Sequence, residues 1–521
     1  MSLPASTLAS IQHAVSDQLK RPCVSFAPCI WGDTFLEYAS QFEGVNDDEK
    51  QQAQTLRNEV QTMFQSSIDQ NIIQKLNLID SVQRFGVSYH FQQEINQALE
   101  QIHNSFTKNN TISDDGNHHS LALLFRLLRQ QGYQISSSAF NKLKNDQGNF
   151  SETLANDIQG LCSLYEAAHL RTPEDDILEE ACDFSNTHMK SLANQLSPSL
   201  AAQINHCLRL PLNKSLIRWW KKSNFETKVP YARGRLVEAY LWSLAMSYKP
   251  EHSLARMFVG KLIAVVCLLD DTYDAYGTIQ ELELFTEAIQ RWNKSPIESL
   301  PQCMKVVFDT VVELGEEIEL ATTESGKSSF VVQYFKQAVF NLIKGYMAEA
   351  KWCHEGYIPT YDEYKVNGIL TSCFPLFITS FIGLGEFANK DVFDWIFSDP
   401  NIIKVVSIIG RVLDDMGSHK FEQQRVHVAS AVECCMKQYN ISQAEAYHLI
   451  HNDVEDGWKV INEECLKSND IPKSVLDCVV NLARMSMVSY ENHQDKFTNG
   501  ELLKGYVSSL LMDPMCLEQH Q

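Results

Sequence analysis

Asp270 and Asp274 stand four residues apart in the stretch Leu268-Leu269-Asp270-Asp271-Thr272-Tyr273-Asp274. This stretch follows an apolar run from Met257 through Val259, Leu262, Ile263, Val265 and Val266, too long for a strand, which predicts a buried helix. On such a helix Asp270 and Asp274 share a face with Cys267 and Ile263 behind them, while Asp271 is rotated about a hundred degrees away. Ionised carboxylates beside hydrocarbon cost on the order of several kcal/mol each unless a cation offsets them. Oxygen ligands that leave coordination sites open suit Mg2+ holding a phosphorylated substrate. A helix end that has simply reached water is the plainer explanation of one such motif in an acidic chain.

A second stretch weighs against that plainer explanation. In Ile408 to Glu422, residues Asp414, Ser418 and Glu422 fall at i, i+4 and i+8, again behind an apolar run, and offer three oxygen ligands on one stripe. Arg411, one turn earlier, points the same way, and its guanidinium fork matches phosphate oxygens. A third feature is Pro375, inside the apolar helical run Ile369 to Phe377. It cannot donate to the carbonyl of Thr371 and must kink the helix. A carbonyl freed in this way and facing an apolar cavity would stabilise positive charge; an irregular helix satisfied by Ser372 or water is the alternative.

The elements that must position these groups are helical. At 521 residues the chain is long enough for two or more domains with large cores. Its 44% hydrophobic and 21% charged residues are those of an ordinary globular protein. A net charge of -21 disfavours nucleic acid as a partner, and an anionic substrate must enter by way of local positive charge or bound metal. No apolar run is expected to span a bilayer, and Met1 to Lys20 lacks the apolar core of a signal peptide and the arginine content of a transit peptide. The expectation is a cytosolic monomer. The 14 cysteines, Cys434-Cys435 included, show no metal-site spacing and read as small buried residues. From Asp47 to about Leu210 the pattern is helix after helix, for example Leu121 to Arg129 and Asp157 to His169. The sequences around Asp47-Asp48, Asp114-Asp115 and Asp175-Asp176 each lack the first aspartate of a DxDD motif, so this half is expected to be structural.

The paired acidic helices resemble the signature of class I terpene synthases, and the chain is most similar to the plant sesquiterpene synthases. The resemblance runs from Arg21 nearly to the C-terminus. It is carried by Arg21-Pro22 with Trp31, by Asp80 to Phe91, by Arg218-Trp219-Trp220 and by Tyr231-Ala232-Arg233-Gly234-Arg235. It implies an all-α fold with an N-terminal α-barrel-like helical domain over 1–212 and a C-terminal α-bundle, the metal-binding catalytic domain, over 213–521. It implies that Asp270, Asp274, Asp414, Ser418 and Glu422 bind Mg2+, with Mn2+ as a possible substitute. Arg233, Arg235 and Arg411 would hold the diphosphate; a solvated basic loop with Lys221 and Lys222 is the alternative for the first two, and the resemblance favours the diphosphate. Trp242 matches the cavity floor, where its π face can stabilise a cation. Leu370 and Thr371 match a helix break with inward carbonyls. Residues 1 to about 30 would cap the catalytic domain, giving Arg21 and Trp31 a part in closing the site.

Two departures from the family pattern stand out. Between Pro211 and Arg218 at least one helix's worth of residues is missing. Near the C-terminus, Tyr490 and Asp495 match a proton-relaying group whose third member is a tyrosine; here that residue is Phe497, which can still wall the cavity as an aromatic. The implied activity is Mg2+-dependent ionisation of farnesyl diphosphate and closure of the carbocation to a sesquiterpene. A chain-elongating prenyltransferase would ordinarily carry two DDxxD motifs. A catalytically impaired helical scaffold is the reading that the shortened junction favours.

Overall fold

The computed structural model describes residues 26–32, 47–65, 72–84, 87–109, 118–145, 147–151, 154, 157–172, 174–192, 214–323, 326–424, 427–467 and 471–511. Among them every extended element is a helix; the one β feature is an isolated bridge between Lys144 and Phe150. The fold is all-α. By compactness the chain divides into two units. One comprises Met1–Glu37, Leu212–Val454 and Asp477–Gly505; the other comprises Tyr38–Pro211, Glu455–Leu476 and Tyr506–Gln521. A single cut at 212/213 differs from this division at both ends of the chain and over Glu455–Leu476. The reason lies in polar contacts: Arg235 and Glu238 bond to Ala27 and Trp31, whereas Arg171 reaches Glu455 at 3.0 Å.

The second unit contains α1 (Asp47–Gln65), α2 (Ile72–Arg84), α3 (Gln92–Asn109), α4 (His118–Gln130), α5 (Ile158–Ala168) and α6 (Asp176–Leu192). Its core is aliphatic and aromatic, with Leu76, Ile79, Leu99, Phe125, Leu128 and Leu164 inaccessible to solvent. Asp157 caps α5 by accepting the Gly160 N–H at 2.9 Å. Asp175, one of the acidic residues noted above, is buried and accepts from Arg129 and from the N–H and hydroxyl of Thr172, so it serves the fold. Asp114 and Asp115 lie outside the described residues. So do Arg21, Phe85-Gly86, the shortened junction up to Asn213, and the side chain of Arg218.

The first unit is a bundle around α9 (Ser253–Ala275), which follows α7 (Lys214–Ser223) and α8 (Leu236–Met246). Leu262 to Leu269 of α9 are buried without interruption, as a central helix surrounded by others must be. Each such Leu, Ile or Val contributes about 1.5–3 kcal/mol by burial. Around it stand α10 (Ile279–Arg291), α11 (Gln302–Thr323), α12 (Ser328–Glu355), α13 (Tyr361–Thr371), α14 (Phe374–Gly383), α15 (Lys390–Phe397) and α16 (Asn401–Glu422). Then come α17 (Ala431–Tyr439), α18 (Gln443–Leu466), which belongs to this unit as far as Val454, and α19 (Lys473–Ser489), which belongs to it from Asp477. Capping boxes at Thr278/Glu281, Thr360/Glu363 and Ser430/Glu433 start α10, α13 and α17.

Pro375 does more than kink a helix. It ends α13 at Thr371, and α14 begins anew at Phe374 with Pro375 in its first turn, where a missing N–H costs nothing. Between them Cys373 takes a left-handed φ of 68°. The stretch Tyr361–Gly383 is, against expectation, long and apolar enough by composition to cross a membrane; it contains this break, and 67% of its most apolar window is buried inside the protein.

Residues 26–32 run across the start of α8. The Trp31 indole donates to Glu238 Oε1 at 2.8 Å, and Arg235 donates to the carbonyl of Ala27 at 2.9 Å. Glu238 is 1% exposed, and burial raises its carboxyl pKa. Trp31→Phe keeps the ring but removes the donor, leaving a buried acceptor unsatisfied. Urea unfolding is expected to show a loss of about 1–3 kcal/mol; wild-type stability would show that the indole bond does not hold this segment.

Candidate active site

α9 and α16 present their acidic stripes to one pocket. Asp270 and Asp274 from α9 and Asp414, Ser418 and Glu422 from α16 all line it. Below this mouth lies a second, largely apolar cavity. Ile263, Val266, Cys267 and Asp270 form its α9 wall, and Trp242, Phe374 and Tyr490 its aromatic floor, with Trp242 5.7 Å from Phe374 and 6.3 Å from Tyr490. Arg233, Asp270, Arg411 and Asp414 line both spaces and mark the boundary between them.

The two arginines are held by the same device. Asp271 is 1% exposed; it accepts the Arg233 backbone N–H at 2.7 Å, and its other oxygen lies 3.4 Å from Arg233 Nε. Asp415, also 1% exposed, accepts Arg411 Nε at 2.9 Å and the Ala431 N–H at 2.8 Å. The first aspartate of each pair completes the clamp: Asp270 pairs with Arg233, and Asp414 accepts Arg411 at 2.6 Å. So the second aspartate of each motif, turned off the ligand face, fixes the guanidinium beside it. The signal was legible: three and four residues before Asp271 are Leu268 and Cys267, an apolar stripe on which a carboxylate needs a cation.

Charge at the mouth is unbalanced. Eight carboxyl groups line it against two guanidiniums. Burial, opposed by the nearby arginines, pushes Asp271, Asp414 and Glu349 up to about 7 and Glu422 well above the usual carboxylate range. Among the described residues no three acidic, imidazole or thiol side chains converge into a complete metal site. Ser418 Oγ is buried with no hydrogen-bond partner. An all-oxygen donor set split between facing helices, with an orphan hydroxyl, fits Mg2+, which keeps waters and takes phosphate oxygens to complete its shell.

The other expected residues divide. Trp242, Tyr490, Phe497 and Thr371 line the apolar cavity, and Asp495 lines the mouth, accepting the Thr498 N–H at 2.8 Å. Arg235 is corrected: it lines neither space and donates to the carbonyls of Ala27, Gly234 and Thr498, because at the head of α8 it lies under residues 26–32. Lys221 and Lys222 are exposed in the last turn of α7. Leu370 does not line the cavity, and its carbonyl accepts the Cys373 N–H at 3.2 Å; Thr371, Ser372, Cys373 and Phe374 line it at the break. Sequence reasoning missed three groups. Glu349 accepts the Thr371 hydroxyl at 2.8 Å and the Asn367 amide at 3.1 Å. Phe26 stacks 5.2 Å from the Arg233 guanidinium, and His427 stands 3.8 Å from Glu422. A lone acid on the buried stripe between Tyr346 and Cys353 was a readable sign of Glu349; nothing local announced Phe26.

Asp271 stands off the ligand face, yet it fixes both the backbone and the guanidinium of Arg233. Asp270→Ala is expected to cut turnover by orders of magnitude with the fold intact, whereas Asp271→Ala removes the buried acceptor of the Arg233 N–H, leaves the guanidinium with Asp270 alone of the two carboxylates, and loses about 1–3 kcal/mol of stability. Steady-state kinetics and denaturant unfolding on both variants check this; an Asp271→Ala protein with wild-type stability and turnover contradicts the clamp.

Comparisons with known proteins agree with this geometry. Residues 221–460 match the profile of the terpene synthase family metal-binding domain, and residues 30–208 that of the terpene synthase N-terminal domain. The chain is 42% identical to a probable terpene synthase 2 of Ricinus communis, over 95% of this chain and 97% of the relative. It is 40% identical to a (-)-germacrene D synthase of Vitis vinifera, over 99% of this chain and 100% of the relative. That alignment spans 562 positions against 521 residues here, so the relative carries residues with no counterpart in this chain. The crystal structure of isoprene synthase from grey poplar leaves with three Mg2+ ions and dimethylallyl-S-thiolodiphosphate superposes with a TM-score of 0.80 at 30% identity, covering 89% of this chain and 97% of that one. With an acidic mouth above an aromatic cavity and both family domains matched in order, the chain belongs to the terpene synthase family.

Proposed function

We propose that this chain is a sesquiterpene synthase that ionises farnesyl diphosphate with Mg2+ and closes the resulting carbocation to a C15 terpene. The observation that carries the reading is the apolar, aromatic cavity opening directly onto the doubly acidic, arginine-marked mouth. The germacrene D synthase relative supports the C15 choice, and the three Mg2+ ions in the isoprene synthase complex support the metal. Mn2+ should substitute, since the same hard oxygen donors suit it. The cytosol, where farnesyl diphosphate is the expected isoprenoid, is the compartment this reading requires.

Asp270, Asp274, Asp414, Ser418 and Glu422 would hold the metal at the mouth. When bound, it supplies Lewis acidity to the leaving diphosphate. Arg233 and Arg411, fixed by Asp271 and Asp415, bind the diphosphate oxygens and hold the anion after the carbon–oxygen bond breaks. The hydrocarbon then lies among Trp242, Phe374 and Tyr490, whose π faces each stabilise a nearby cation by up to about 2 kcal/mol when desolvated. Thr371 and Ser372 line the same cavity, and the apolar wall of α9 excludes the water that would quench the cation. Phe497 offers no hydroxyl where some relatives have one. The last proton therefore goes to the bound diphosphate, from a single uninterrupted cascade.

Purified protein with farnesyl diphosphate and Mg2+ is expected to yield a hydrocarbon or terpene alcohol by mass, with higher kcat/KM for the C15 than for the C10 diphosphate. A longer diphosphate would select a prenyltransferase, and unchanged substrate a non-catalytic scaffold. The same incubation in deuterium oxide should leave the product unlabelled; stoichiometric, non-exchanging deuterium would overturn the single-cascade account.

A further inference from the structure

Gly410 sits in α16 immediately before Arg411 and one turn before Asp414, and it lines the apolar cavity. A Cβ built there would lie 2.4 Å from Phe374 Cε2 and 2.5 Å from Phe374 Cζ, closer than side chains approach one another. The Phe374 ring therefore rests against bare helix backbone. It is 4% exposed and stands 5.7 Å from Trp242, so it links α16 to the aromatic floor carried by α8. The backbone that bears it is stiff on both sides, with Cys373 in a left-handed conformation before it and Pro375, its φ fixed by the ring, after it. A side chain at position 410 could not be absorbed by the main chain. The ring would have to swing about its own χ1 into the cavity.

We propose that Gly410 is a specificity-determining position: by having no side chain it sets the depth of the Phe374 ring, and with it the contour against which the carbocation closes. The inference rests on the sesquiterpene synthase reading. An aromatic face stabilises the cationic carbon nearest to it, so moving the ring by about an ångström changes which closure is favoured. Product ratios respond exponentially to such differences. Arg411 follows Gly410 directly and lines the same cavity, so diphosphate release is measured beside the product ratio to tell a change of contour from a loss of ionisation.

The test uses Gly410→Ala, Phe374→Leu and the double variant, each incubated with farnesyl diphosphate and Mg2+. Products are read by gas chromatography and mass spectrometry beside diphosphate release and melting temperature. Gly410→Ala is expected to shift the ratio of the main product to all others about tenfold. The double variant should match the distribution of Phe374→Leu alone within about twofold, because the ring that the added methyl would displace is gone. A folded Gly410→Ala protein with the wild-type ratio overturns the proposal, as does a double variant whose shift is the product of the two single shifts. If Gly410→Ala alone does not fold, recovery of folding in the double variant supports the ring contact, and continued failure overturns it. A wild-type chain that releases no diphosphate defeats the functional reading, and this proposal with it.

Discussion

Eight carboxyl groups and two guanidiniums share the mouth of this site, and most of its architecture follows from that imbalance. Two like charges about 4 Å apart in a partly buried setting repel by about 4 kcal/mol. Such crowding cannot persist with every group ionised, and burial accordingly drives Asp271, Asp414, Glu349 and Glu422 toward the neutral form. Neither arginine is free to neutralise the excess, because each is clamped between the first and second aspartates of a motif. The remaining deficit is what divalent cations arriving with a diphosphate would satisfy. Metal uptake should therefore displace protons.

The bundle supplies what this charge arrangement needs below it. α9 is apolar from Leu262 to Leu269 and then changes character within one residue at Asp270, so the same helix walls the cavity and faces the mouth. The break between α13 and α14 brings Thr371 and Ser372 to the cavity. It is held in place from α12: a Cβ at Gly345 would lie 2.8 Å from Thr371 Cγ2, so the helices meet on bare backbone, and one turn along, Glu349 accepts the Thr371 hydroxyl. Glu349 thus belongs electrostatically to the mouth and structurally to the break.

Periodicity made the all-helical fold and both acidic stripes legible, because Asp270, Asp274, Asp414, Ser418 and Glu422 derive their common faces from helix geometry alone. It also placed Ile263 and Cys267 behind Asp270, where the structure has them. What it could not give were contacts between distant segments. Arg235 read as a diphosphate ligand from its place beside Arg233; its bond to the Ala27 carbonyl spans 208 residues and leaves no local trace. Pro375 announced an interruption but not its completeness, which depends on Cys373 adopting a left-handed conformation. The Phe374 ring against Gly410 was likewise invisible, since the sequence shows only that a glycine is present.

The account turns on metal and diphosphate being bound together at a mouth too acidic to take the anion alone. Calorimetric titration of inorganic diphosphate into the full chain, with and without Mg2+ and in two buffers of different ionisation enthalpy, measures this directly. The prediction is tight binding only with Mg2+, accompanied by proton release that appears as a buffer-dependent heat. Equal diphosphate affinity in the absence of metal, or metal uptake without proton release, would contradict it.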